Sequence, residues 1–198
     1  MTKVYKFNEV LNDLMDYFIL GDPDCLLNYQ QNHQLPSDLL TEFTTKETGD
    51  QVVEDGIIVP LSGVKNYPYT IYFNLSDEIP ELLKEGNHLQ VKQEGYCLKV
   101  ENGEIYLYTM PYLRNFTTDK VEALKKHRTA TIPLENGWYN VTILGGETLQ
   151  NVEIVDKDGQ KINHQSLEPT FEFILKFSGN KPPYTADINY SFKINTSE

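Results

Sequence analysis

The chain has 198 residues with 17 basic and 29 acidic side chains, a net charge of −12, and thirteen Tyr beside nine Phe. That length and an apolar content of 39% suffice for a core in one large domain or two small ones without a staple, while the acidity excludes a partner held through a phosphate backbone, so no nucleic acid is expected. Two cysteines, Cys25 and Cys97, make no disulfide framework, and an N-terminal segment that meets Asp13 and Asp16 before any long apolar run is neither signal peptide nor membrane span; a cytoplasmic protein with no membrane partner is expected.

The first forty-odd residues read as helices. Asn8 can cap a segment in which Leu11, Leu14, Met15, Phe18 and Ile19 recur at helical spacing, with Asn12, Asp13 and Asp16 on the opposite side. Gly21 ends it, and Asp22-Pro23 opens a second helix as N-cap and first helical residue, turning Leu26, Leu27 and Tyr29 inward. Pro36-Ser37-Asp38 opens a third, through Leu39, Leu40 and Phe43, and TTKETGD follows as a loop.

From Gln51 the pattern turns to strands. Val52 and Val53, an Asp55-Gly56 turn and Ile57 to Val59 predict a hairpin, and Tyr67 to Leu75 a further strand. DEIPELLKEG predicts about two helical turns closed by Gly86. GYCLKVE and EIYLYTM, joined by Asn102-Gly103, predict a hairpin with a type I′ turn. Thr117 to Arg128 reads as a short helix with Asp119 as N-cap and a basic last turn that suits the helix dipole.

The remainder reads as all-β. Hairpins are predicted for TATIPL with WYNVTIL, turning at Glu135-Asn136-Gly137, and for NVEIVDKDGQKI, turning at Lys157-Asp158-Gly159. TFEFILKF and ADINYSFKI alternate strictly, placing Phe171, Phe173, Leu175 and Phe177, and then Ile188, Tyr190, Phe192 and Ile194, on single faces. The expected fold is α+β: N-terminal helices plus antiparallel β-hairpins over residues 1–116, then an all-β, sandwich-like half over 117–198, with the helix at 117–128 as the seam.

No catalytic or cofactor motif accompanies these elements. Cys25 would sit in the first turn of a helix, where the dipole favours a thiolate, but Asp22 and Asp24 oppose this and His33 lies two turns away. Asp156 and Asp158 begin a calcium-loop pattern that lacks its closing Glu, and Leu144-Gly145-Gly146-Glu147 lacks the Lys and Ser/Thr of a phosphate loop. His33, His88, His127 and His164 are scattered, so no metal site and no cofactor are expected, and the chain reads as a non-enzyme.

The charge itself is informative. Residues 7 to 64 hold eleven acids and one base, Lys46, a net −10 that leaves the remainder near balance. Carboxylates arrayed around aromatic side chains can steer a cationic protein while the rings anchor it; the expected contact set is Asp13, Asp16, Tyr17, Asp22, Asp24, Tyr29, Asp38, Glu42 and Phe43. The competing expectations are a solubilising surface and, in the β-rich half, a sugar or metabolite site around Trp138 and Tyr139.

In this general character the chain resembles the immunity proteins of bacterial toxin–immunity pairs, which are stoichiometric inhibitors, often acidic because nuclease toxins are basic. The resemblance lies in size, acidity and absence of reactive groups. It implies a basic protein toxin as partner, assigns no residue a role, and fixes no architecture.

Overall fold

The computed structural model describes residues 3–10, 15–128, 130–155 and 159–196. A five-stranded sheet runs in the order β1 (Val4–Val10), β4 (Pro68–Asn74), β9 (Lys161–Ser178), β8 (Gly137–Val155) and β5 (His88–Val100). A four-stranded sheet runs β3 (Ile58–Ser62), β2 (Tyr17–Gly21), β6 (Glu104–Thr109) and β7 (Thr131–Pro133). All neighbours are antiparallel except β4 and β9. The sheets share one core: the ring of Phe18, on β2, meets Tyr69 and Phe171 of the larger sheet edge-on at 5.6 and 6.0 Å. Helices α1 (Pro23–Asn32), α2 (Leu39–Thr45) and α3 (Thr48–Glu54) form one excursion between β2 and β3, and α4 (Thr118–His127) packs near α1. The fold is α+β, as the patterns predict.

Several local expectations are corrected. Among the described residues the first predicted helix is replaced: Val4–Val10 and Tyr17–Gly21 are strands, and Met15 and Asp16, at φ 45° and 60°, lie in the left-handed region that interrupts a right-handed helix. Residues 11–14, including Leu11, Asp13 and Leu14, lie outside the described residues. Phe18, Ile19 and Leu20 are contiguous and buried because β2 is covered by the larger sheet on one side and the helical excursion on the other, so no alternation marks it as a strand. Val52 and Val53 belong to α3 and not to a hairpin, and the predicted TTKETGD loop supplies that helix's start. Gly49 permits this, since a Cβ there would lie 2.0 Å from the Phe43 carbonyl oxygen. DEIPELLKEG contains a single 3-10 turn, Glu81–Leu83, and the N-cap of α4 is Thr117, whose side chain accepts from the Lys120 amide.

The hairpin predicted at Asn102-Gly103 is also absent. β5 and β6 belong to different sheets, and the turn is a corner between them. In place of ladder bonds, Asp22 accepts the Glu101 and Asn102 amides at 2.9 Å each, and Gly103 donates to Asn136 Oδ1 at 2.8 Å. β7 and β8 likewise part to different sheets; β8 pairs antiparallel with β9 from Trp138–Ser178 to Val155–Lys161, a ladder that includes the hairpin predicted over residues 151–162 and runs far beyond it. Of the predicted Lys157-Asp158-Gly159 turn, only Gly159 is described. Strands from either side of the 116/117 junction pair in both sheets (β4 with β9, β5 with β8, β6 with β7), so the expected seam runs between bonded neighbours.

ADINYSFKI keeps its period of two without joining a sheet. Phe192 and Ile194 are fully buried, Ile188 and Tyr190 partly so, and a single bridge links Ser191 to Ser62. The segment is a strap across the open side of the sandwich. Phe192 N donates to Ser62 O near the β3 edge, and Thr185 N to Gly95 O on the β5 edge. Gly95, at φ 90°, admits the strap where a Cβ would lie 2.3 Å from Thr185 Oγ1. Phe177, expected on the buried face of β9, is 54% exposed near the strand's end.

Candidate functional site

The acidic segment divides by what its carboxylates touch. Asp22 is fully buried and caps α1, accepting from the Asp24 and Cys25 amides while its other oxygen holds the β5–β6 corner. Asp24 and Glu104 both pair with Lys125 of α4. Burial acts to lower the Lys125 pKa, but hydrogen bonds to the two carboxylates outweigh it and raise it. Glu42 is buried, paired with Lys46 at 2.7 Å and bonded by Thr48 at 3.1 Å; the Lys46 hydrogen bond holds its pKa below the usual range. Asp38 caps α2, and hydrogen bonds from Thr41 lower its pKa likewise. Tyr29 is buried, donates to Asp55 and stacks on His33 at 4.1 Å.

The Cys25 thiol is pushed well up by burial, with the Glu101 and Asp22 carboxylates adding to the effect. That environment opposes thiolate formation. Trp138 is flanked by the ammonium groups of Lys99 and Lys181, 5.9 and 5.7 Å from its ring, and Tyr139 is buried with its hydroxyl on Glu135 O. Among the described residues no group of His, Cys, Asp and Glu is arranged to hold a metal ion, and no helix is long and apolar enough to cross a membrane.

A different arrangement appears on α3. Glu47, its N-cap, Asp50 and Glu54 follow at spacings of three and four, so they share one exposed face. Among the described residues no cation pairs with any of the three: Lys46 turns to Glu42, and Lys181 lies against Asp55 at 3.7 Å. Some exposed acids elsewhere do have lysine partners, as in Glu81–Lys84, Glu94–Lys92, Glu101–Lys99 and Glu153–Lys161.

Beside this stripe lies a groove of about 330 Å³. Tyr17 and Phe43 stand half-buried on it, Ile19, Ile58 and Pro60 come from the smaller sheet, Val53 from α3, Met110 and Leu113 from the turn after β6, and Ile188 from the strap. Asp50 is the one charged residue of the lining.

Of the expected contact set, the structure brings Tyr17 and Phe43 together on the groove and leaves Asp16 exposed beside Tyr17. It places Asp22, Asp24, Tyr29, Asp38 and Glu42 in internal roles, and Asp13 is outside the described residues. Glu47, Asp50 and Glu54 contribute to the charge of residues 7 to 64 and lie outside the expected contact set. Their spacing around Val52 and Val53 is a helical signal that Gly49 obscures.

No protein-family model matches this chain. No curated protein matches it either. Two solved structures show similarity to this chain. One is the crystal structure of ComJ, inhibitor of the DNA degrading activity of NucA, from Bacillus subtilis, at 13% identity and a TM-score of 0.45, covering 90% of this chain and 99% of that one. The other is described as Crocagin biosynthetic gene J, at 11% identity and a TM-score of 0.46, covering 88% and 97% respectively.

Proposed function

We propose that this protein is a non-enzymatic cytoplasmic binding protein that inhibits a basic protein, in the manner of an immunity protein, by forming a stoichiometric complex through the α3 side of its helical excursion. The observation that carries this reading is the Glu47–Asp50–Glu54 stripe, three exposed carboxylates on one helix face that no cation among the described residues pairs with, one of them lining the adjacent groove. Like charges at helical spacing repel, and a cationic partner converts that repulsion into attraction and steers encounter. The groove beside the stripe adds apolar surface that charge alone would not supply.

The test is calorimetry with the product of the adjacent reading frame at low salt. A one-to-one complex that weakens with ionic strength, and is lost on Asp50→Lys with Glu54→Lys, is the expected result. Absence of association, or a complex indifferent to both reversals, would overturn the reading.

A further inference from the structure

We propose that the groove between α2, α3 and the outer face of the smaller sheet seats one large apolar side chain of the partner, presented between lysines or arginines that engage Asp50 and its neighbours on α3. The inference rests on the proposed function and specifies what the partner must display. Apolar residues supply most of the lining, joined by Thr44, Asp50 and Asn189; the lining comes from β2, α2, α3, β3, the turn after β6 and the strap, and it holds no cation of its own. An apolar residue alone would fit the walls but leave the rim unpaired. A cation alone would face Tyr17, Phe43, Val53 and Met110 with nothing to offer them.

Position reinforces this chemistry. Asp50 belongs to the lining and also to the exposed stripe, so a segment seated in the groove meets that carboxylate directly, with Glu54 one turn further along α3 and Glu47 one turn before. Burying a leucine-sized side chain corresponds to about 1.5–3 kcal/mol, or roughly ten-fold or more in affinity. The flanking cations contribute an attraction that salt screens.

Three dye-labelled peptides provide the probe: Lys-Lys-Leu-Lys-Lys, the same peptide with Gly in place of Leu, and Glu-Glu-Leu-Glu-Glu, each titrated at low salt against the full chain by amide NMR. The expected result is that the Leu peptide binds about ten-fold or more tightly than the Gly peptide, with shifts at Thr44, Asp50 and Val53. Thr44→Trp, which fills the groove from its exposed rim, should abolish that preference, and Asp50→Lys should weaken both basic peptides; thermal melts confirm that each variant folds. Equal binding of the Leu and Gly peptides, a preference that survives in folded Thr44→Trp, or no binding by any peptide would overturn the inference. If both basic peptides bind equally but better than the acidic one, the groove reading alone fails. If the acidic peptide binds as well as the basic ones, the proposed function fails with it.

Discussion

The two ends of the acidic excursion use the same side chains for opposite purposes. At the α1 end, Asp22 is sunk under the β5–β6 corner and takes four backbone amides, while Asp24 and Glu104 converge on Lys125. At the α3 end, Glu47, Asp50 and Glu54 face solvent with no cation among the described residues. A carboxylate that satisfies four donors is part of the fold, and removing it takes the acceptor from four buried or partly buried amides. A carboxylate that satisfies nothing inside the molecule remains available to something outside it. The difference is invisible in a charge count, where each contributes −1.

The comparison breaks most visibly at Asp22. Asp22→Ala removes the α1 cap and strands the Glu101 and Asn102 amides, so it should cost roughly 3 kcal/mol in urea unfolding. A loss under about 1 kcal/mol, the ordinary cost of a cap alone, would show that the corner does not depend on the buried carboxylate. Lys125→Met is the next step down. It keeps the aliphatic stem and removes the ammonium shared by Asp24 and Glu104, a partly exposed pair for which about 1 kcal/mol is expected, shrinking as salt is added. An unchanged midpoint at low salt would mean that the α1 end is held by Asp22 alone.

How far the sequence disclosed this arrangement depended on whether a local pattern had one physical cause. Asp22-Pro23 is a cap in the sequence and in the structure, and Pro36-Ser37-Asp38 opens a helix in both, because helix starts are decided within about four residues. The strand at Tyr67 to Leu75 and the end of the β8–β9 pair over residues 151–162 were legible for a similar reason, whereas the rest of that pair, with β8 expected beside β7, was not. The Asn102-Gly103 turn was misleading, because a tight turn does not specify whether its flanking strands pair with each other; Asp22, eighty residues upstream of Asn102, decides that here. Phe18-Ile19-Leu20 resembled a helix because burial on both faces erases the period of two. The strap shows the converse: alternation in Ile188, Tyr190, Phe192 and Ile194 records one buried side, and a single extended segment closing a sandwich produces it as well as a sheet does. For the site, Tyr17 and Phe43 could be picked out as aromatic residues among acids, but their company on the groove required the tertiary positions of Met110, Leu113 and Ile188.

The smallest expected change in stability lies at α3, where the contrast with Asp22 is sharpest. Asp50→Asn with Glu54→Gln removes two charges while keeping side-chain shape. Asp50 stands in the first turn, where a negative charge favours the helix, but its repulsion with Glu54 one turn away is relieved in the same double variant. These contributions oppose each other, so the urea midpoint should move by no more than the equivalent of about 0.5 kcal/mol in either direction. Partner affinity should fall by about ten-fold or more in the same variant if charge steers and holds the complex. Reversal at Glu42 would be a poor substitute, because that buried carboxylate holds Lys46 and Thr48 and its loss would report on folding. A double variant that unfolds easily would move the α3 stripe into the same structural class as Asp22. One that keeps both stability and affinity would leave it a solubilising surface.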